Sequence, residues 1–475
     1  MIESRDELRT TALRVGSSAQ LLAVRLEIQA SEGAALCAFE AAPRGSHRFY
    51  WEQPTERRAI AAIGALEVVE DVGVDRFESA AARIRSIATQ LCVASLDSSN
   101  PGVEATRAMW VGGFGFENDA IESEEWDGFA PSSFVLPEAI FEREGERAWL
   151  TAVVRRAEAE TSAALVDRAL AGLEVFAGSL LADVSSRALE RTPACATAYT
   201  ARPDRPHSVY LGAVATAAEA IARGDLEKVV LGRSLEVEAD TAYDASSVLA
   251  SLRRAHASTT IFAVGRGERV FLGASPERLV AVAGERLQAA AVAGSAPRGR
   301  SPEEDERLGR SLRESKKEQE EHAVVVREIE AALGPLCDEL EHPEAPGLLK
   351  LDGIQHLETP FDAHLREGEM GRPHLLELAG RLHPTPAVGG TPREAARDWI
   401  RSREALVRGW YAGGVGFVTS EGGGELHVGL RSGLLCGMRA RLYAGAGIVG
   451  ASIPESELVE TRLKLRTLLS QLTEI

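Results

Sequence analysis

Apolar and polar positions divide the chain into recognisable pieces. In LEKVVLGRSLEV, residues 226–237, most residues suit a strand, and side chains along a strand alternate between its faces. Lys228 then shares a face with Leu226 and Val230, while Val229 and Leu231 occupy the other, which sets an ammonium inside an apolar run. The plain reading is an edge strand with a snorkelling lysine. Upstream, YLGAVATAAEAIARGD reads as a helix ending near Gly224. Downstream, IFAVG, RVFLGAS, RLVAVAG and RLQAAAVAG are short strands separated by glycine-containing turns, a pattern of antiparallel pairing. A long amphipathic helix is predicted from about Pro302 to Leu333. Further strands follow in WYAGGVGFV, GELHVGLRSGLLCG and RARLYAGAGIV, and a closing helix from about Pro454 to Leu472. Strands cluster instead of alternating one-for-one with helices, so an α+β fold with large antiparallel β-sheets is expected.

Residues 1–184 mix helical and strand-like pieces, including MWVGGFGFEND, and form an N-terminal α+β region packed into the same fold. The looser stretch 185–207, rich in Arg, Pro, Ala and Thr, is the expected connection, and residues 208–475 form the core.

Composition narrows the chemistry. With 475 residues and 45% hydrophobic content a large core is available, and 71 acidic against 53 basic residues give a formal charge of −18. That balance excludes nucleic acid and anionic membranes as partners, and an anionic substrate needs a local cationic pocket or a bound metal. A polar N-terminus and the lack of any 18-residue apolar run speak against export or membrane spanning. The cysteines (Cys37, Cys92, Cys195, Cys337, Cys436) are odd in number and never form a CxxC pair, as in a reduced, cytoplasmic protein. Only five of the basic residues are lysines: Lys228, Lys316, Lys317, Lys350 and Lys464. Lysine, unlike arginine, can lose its proton when buried, which makes Lys228 a candidate for chemistry.

On the long helix, at roughly 100° per residue, Glu314, Glu321, Val325, Ile329, Ala332 and Leu336 fall within about 60° of Glu318. Glu318 and Glu321 therefore continue the apolar stripe. The closing helix repeats the arrangement, with Glu457, Glu460 and Lys464 beside Leu458, Leu465, Leu469 and Leu472. Taken alone, that helix is explained by an acidic first turn and a Glu460–Lys464 pair. If the two E-x-x-E pairs face one another, each carboxylate contact at about 4 Å costs on the order of 4 kcal/mol. Protons or a hard divalent cation must then intervene, and oxygen ligands favour Mg²⁺. Glu277, in FLGASPERLVAV, is expected on a tight turn between two strands. GAGIVG at 445–450 matches G-x-G-x-x-G, but the helix signal waits until Pro454 and too little chain follows for a dinucleotide-binding unit. Its glycines are read as letting backbone approach a ligand closely.

Together LEKVVLGR, GASPERLV, AVAGSAPRG, KKEQEEHAVVVREI, IQHLETPF, HPTPAVGGTPRE, GWYAGGVGF, VGLRSG and YAGAGIVGASIPESELVETRLKL resemble, in order, the blocks of the chorismate-utilising enzymes. That family includes anthranilate, salicylate and isochorismate synthases; the likeness runs from about Tyr210 to the C-terminus and is looser before it. It implies a layered sandwich of antiparallel sheets with helices outside, chorismate as substrate and Mg²⁺ as cofactor. By the same resemblance Lys228 is the base and Glu277 the acid. Glu321 and Glu460 would ligate Mg²⁺, with Glu318 and Glu457 in its outer shell. Tyr411, Arg431 and the backbone near Gly445 would hold the enolpyruvyl carboxylate, with Gly294, Ser295 and Lys464 near the ring carboxylate. His356 also matches a site position. Salicylate-forming members carry threonine at the position of Ala387, so the chain resembles the isochorismate-forming branch, the other activities remaining the alternative. No glutamine amidotransferase segment is fused to it, and no obligatory amidotransferase subunit is expected. A non-catalytic binding subunit would be expected to lack Lys228 or Glu277.

Overall fold

The computed structural model describes residues 5–43, 45–96, 108–182, 198–351, 353–368 and 371–473. In it the strand that carries Lys228 runs Lys228–Ala239 and lies inside a sheet. One neighbour is Arg439–Ile448, paired antiparallel from Val229↔Ile448 to Glu238↔Arg439. On the other side lie Tyr199–Pro203 and, against Lys228 and Val229, the short strand Gly390–Thr391. The expected edge is absent here, and Leu226 precedes the strand instead of sharing its face. With no free edge to reach over, Lys228 is 1% exposed.

Two sheets, of thirteen and ten described strands, form the body of the fold. Their pairing is antiparallel throughout the described residues except where Leu21–Ile28 meets Leu91–Leu96. The first third of the chain enters both sheets: Gly45–Gln53 pairs with Thr260–Gly267, and Met109–Phe114 with Gly414–Thr419. Trp51, Phe262 and Phe271 from one sheet and Trp110, Phe134 and Leu426 from the other share one apolar core. On the far face of the larger sheet, Leu22, Val24 and Leu272 pack under helices that include Ser162–Ala182, Ala245–Ala255 and the closing helix Pro454–Leu472. This is the expected α+β sandwich with helices outside. Each large apolar side chain taken fully out of water contributes about 1.5–3 kcal/mol.

Two predicted boundaries move. The single helix expected over residues 302–333 is two, Pro302–Glu314 and Lys316–Leu333. Ser315 separates them with extended backbone, and its hydroxyl accepts from the Glu318 N–H, capping the second helix. Glu314 thus does not belong to the Glu318 stripe. Within the expected connection, residues 185–197 lie outside the described residues, but Tyr199–Pro203 is a strand. Every residue of that strand is exposed, so no apolar alternation announces it. The helix that follows runs His207–Ala222. Cys37, Cys92, Cys337 and Cys436 are free thiols, and Cys195 lies outside the described residues. No described helix is long and apolar enough to cross a membrane.

Two local features fix how the sheets and the Lys228 strand are held. Strand Arg269–Ser275 belongs to the larger sheet and Arg278–Ala283 to the smaller, so Pro276 and Glu277 alone carry the chain between them. Nearby, Arg408 and Glu404 form a fully buried bidentate pair. Arg408 also donates to the carbonyls of Val388 and Val230 at 2.8 Å each, and Glu404 accepts from the Gly232 N–H at 2.6 Å. The pair thereby ties the loop at Val388 to the Lys228 strand. Removing one member of such a pair leaves a buried charge alone, so Glu404→Ala should cost about 3–5 kcal/mol in urea unfolding. A loss below about 1 kcal/mol would show that the clamp is dispensable.

Candidate active site

A pocket of about 830 Å³, counting space open to solvent at its mouth, opens where both sheets and two helices converge. Its size suits a small organic ligand. The Pro276–Glu277 link forms one part of the wall, and strand Arg286–Pro297 contributes Gly294 and Ser295. Helix Lys316–Leu333 supplies Lys317, Glu318 and Glu321, and the closing helix supplies Glu460 and Lys464. His356, Ala387, Tyr411, Arg431, Gly445 and Gly447 complete the residues that bear on its chemistry. Of the residues singled out from sequence, all but Lys228 and Glu457 line the pocket, and those two stand directly behind lining residues.

Glu277 is buried at the sheet-to-sheet link as expected. Its backbone is fixed from both sides: the carbonyl accepts from the Val428 N–H, and the N–H donates to Ser275 Oγ. Burial pushes its pKa from 4.5 up to about 8, against the pull of Lys228 and Lys464. At neutral pH this carboxyl therefore carries a proton.

Lys228 is buried as expected, but with a counter-ion that strand periodicity could not reveal: Nζ lies 2.8 Å from Glu321 Oε1. Gly447 makes the meeting possible. A Cβ there would sit 2.5 Å from Glu321 Oε1 and 3.1 Å from Lys228 Cε. This glycine of the GAGIVG run admits two side chains of the protein itself and, like Gly445, also lines the pocket.

The two E-x-x-E pairs meet as their stripes suggested. Burial and then the neighbouring Glu321 raise the pKa of Glu318, and burial and then Glu460 raise that of Glu457. Burial works against ionisation of Glu460 too, but Lys464, with Nζ 2.7 Å away, together with Lys317 and Arg431 outweighs it and lowers the pKa. Each carboxylate faces an ammonium: Glu321 that of Lys228, Glu460 that of Lys464, and both Glu318 and Glu457 that of Lys317. Among the described residues no three acidic or imidazole groups close into a ready cage. The donor set is nevertheless one of hard carboxylate oxygens, with two members whose ionisation is opposed by like charge. Such a set fits a divalent cation. Lys317 was not among the residues predicted for the site, though its place next to Glu318 and the scarcity of lysine both pointed to it.

Beside the carboxylates the pocket also presents cationic groups. Arg431 Nη2 donates to His356 Nε2 at 3.1 Å, and because a guanidinium only donates, Nε2 must be the unprotonated nitrogen. Nδ1 then carries the proton and donates to the Gly294 carbonyl at 3.1 Å, with Ser295 Oγ 3.0 Å away. Burial, then Arg431 and Lys464, hold His356 neutral. Arg431 sits at φ +49°, a left-handed conformation that costs a non-glycine residue on the order of 1–3 kcal/mol and is typical of functional sites. Gly294, at φ +78°, forms a bulge in the pairing of its strand with Ile354–Leu365. The bulge turns the Ser295 N–H onto Glu318 Oε2 at 3.1 Å. Tyr411 stacks on Tyr443 with ring centroids 5.2 Å apart, and burial pushes its pKa up to about 12, so its hydroxyl stays a donor. Lys464 Nζ also donates to the Gly445 carbonyl at 2.9 Å.

Comparisons with known proteins identify the family. A family described as "Chorismate binding enzyme" matches residues 8–473. The chain is 39% identical over 90% of its length to the "Salicylate biosynthesis isochorismate synthase" of Pseudomonas aeruginosa, spanning 85% of that protein. To "Isochorismate synthase MenF" of Bacillus subtilis it is 33% identical over 90% of its length, spanning 88% of the relative. The solved structure of MenF, the menaquinone-specific isochorismate synthase from Escherichia coli, superposes with a TM-score of 0.77 at 25% identity, covering 99% of this chain and all of that one.

The raised pKa of Glu277 links stability to pH. The folded protein keeps a proton that the unfolded chain releases above 4.5, so this contribution to stability is full below 4.5 and fades as pH rises to about 8. Glu277→Gln has no such proton to lose. Its urea midpoint should gain on the wild type between about pH 5 and about pH 8, and a constant difference would mean that Glu277 is ionised throughout.

Proposed function

This chain belongs to the chorismate-binding enzymes, and on that premise we propose that it is an isochorismate synthase, an isomerase that adds water at C2 of chorismate and expels the C4 hydroxyl. The observation that carries this reading is the placement of the buried carboxyl of Glu277, whose pKa burial raises, in one pocket with the glutamate that holds Lys228. Hydroxide is a poor leaving group and water a poor nucleophile, so the exchange needs an acid at C4 and a base at C2. Glu277 donates its proton to the departing oxygen. Lys228, acting as the neutral amine once it has passed its own proton on, takes one from the attacking water and becomes the ammonium that pairs with Glu321, and the ring double bonds move between the two carbons. One water enters and one leaves, and the net change is near-isoenergetic, so the enzyme should run the reaction in both directions.

Arg431 and Tyr411 suit the enolpyruvyl carboxylate. The proton on Nδ1 of His356 leaves Nε2 as an acceptor, which orients the guanidinium without adding charge. The ring carboxylate falls to Lys464 and the bulge at Gly294 and Ser295. Glu321 and Glu460, backed by Glu318 and Glu457, would hold Mg²⁺. Bound there, it would supply positive charge for the ring carboxylate and draw the charge of Glu321 away from Lys228. Ala387 adds a methyl group and no hydroxyl to this wall, consistent with a reaction that stops at isochorismate. Water is the nucleophile, so no ammonia-supplying subunit is needed.

Chorismate and Mg²⁺ with the purified protein should yield isochorismate, without pyruvate and without an aminated product when ammonia is added; either of those, identified by mass spectrometry, would reassign the reaction. Lys228→Ala and Glu277→Gln should each lower kcat by at least about a hundredfold while circular dichroism stays native. Activity should vanish in EDTA and return with Mg²⁺, and turnover in the chelated enzyme would remove the metal from the scheme.

A further inference from the structure

One ammonium group in the pocket has no part in the proposed chemistry. Lys317 Nζ lies 3.3 Å from Glu457 Oε1 and 3.6 Å from Glu318 Oε1, touching one glutamate of each E-x-x-E pair and bridging their two helices. Its residue type is informative in a chain where 48 of 53 basic residues are arginine. An arginine here would grip the carboxylates with a rigid two-pronged fork, whereas lysine offers a single point charge on a flexible stem. Three of the five lysines, Lys228, Lys317 and Lys464, stand on these four glutamates. Lys317 is also the one free to leave: its side chain is 34% exposed at the rim, against 1% for Lys228 and 18% for Lys464.

We propose that Lys317 is a built-in counter-ion that holds the glutamate cluster together in the metal-free protein and gives way to the divalent cation, so that it sets the affinity for the metal. Without it, the two helices would present like charges to each other whenever the metal is absent. With it, the pocket stays assembled, and metal entry exchanges one cation for another by a swing of the lysine stem into solvent. The inference rests on the cation site of the proposed function.

Mg²⁺ alone, titrated by calorimetry and by thermal unfolding into the chelator-treated full chain, separates the possibilities. Lys317→Gln should bind Mg²⁺ about two- to fivefold more tightly than the wild type and melt at a lower temperature in EDTA. Lys317→Arg keeps the charge but should bind more weakly by a similar factor. Lys316→Gln removes the same unit charge from the exposed neighbouring residue and should match the wild type. Equal affinities for wild type, Lys317→Gln and Lys317→Arg would overturn the proposal and leave the metal site standing, as would a Lys316→Gln effect as large as that of Lys317→Gln. A wild type that takes up no Mg²⁺ would overturn both. Should Lys317→Gln fail to fold, the arginine variant, which retains both ion pairs, still decides the question by the direction of its change.

Discussion

Charge matching in a dry space is the constraint on which this molecule turns. Four carboxylates and three ammonium groups crowd the wall of one pocket and the layer directly behind it, most of them largely withdrawn from water. At a moderate effective dielectric each unmatched like pair near 4 Å would cost on the order of 4 kcal/mol. The fold meets this with alternation: every glutamate has a lysine within 4 Å, and the one carboxyl set apart from the cluster, Glu277, keeps its proton. Space for the matching comes from the backbone. A glycine at residue 447 leaves the volume in which Lys228 and Glu321 touch, so the electrostatics depend on a missing methyl group as much as on charged residues.

The scaffold brings these groups together from distant parts of the chain. The Lys228 strand is locked by antiparallel partners on both sides and by the buried Glu404–Arg408 pair. The two acidic helices pack against different sheets, one on the strand of Gly294 and the other on that of Gly445. Their glutamates meet only because the sheets themselves meet, and a cationic part of the pocket is assembled from a third place, the His356–Arg431 contact.

Much of this was legible in the sequence, for physical reasons. Stripes that include glutamate among leucine and valine point those glutamates inward, and both helices obey. Glu277 was placed on its turn because RLVAV, right after it, can only be strand. What escaped depends on tertiary partners. Nothing in a period-two pattern reports that Lys228 faces a carboxylate 93 positions away, or that its strand is interior when one neighbour, Tyr199–Pro203, is wholly exposed. Ser315 fits a continuous helical pattern because its capping bond competes with helix only locally. Lys317 was passed over because its meaning lies in Glu457, which comes from another helix.

The link at residues 276 and 277 has a mechanical consequence. It is the short bridge by which the chain leaves one sheet for the other, and the buried carboxyl of Glu277 is carried on it. Any slip of the sheets past one another would carry that carboxyl out of register with Lys228, which belongs to only one of them. The strands near Trp51 and Trp110, far along the chain from the pocket, thus act as ballast for the proposed proton transfer, which they never touch.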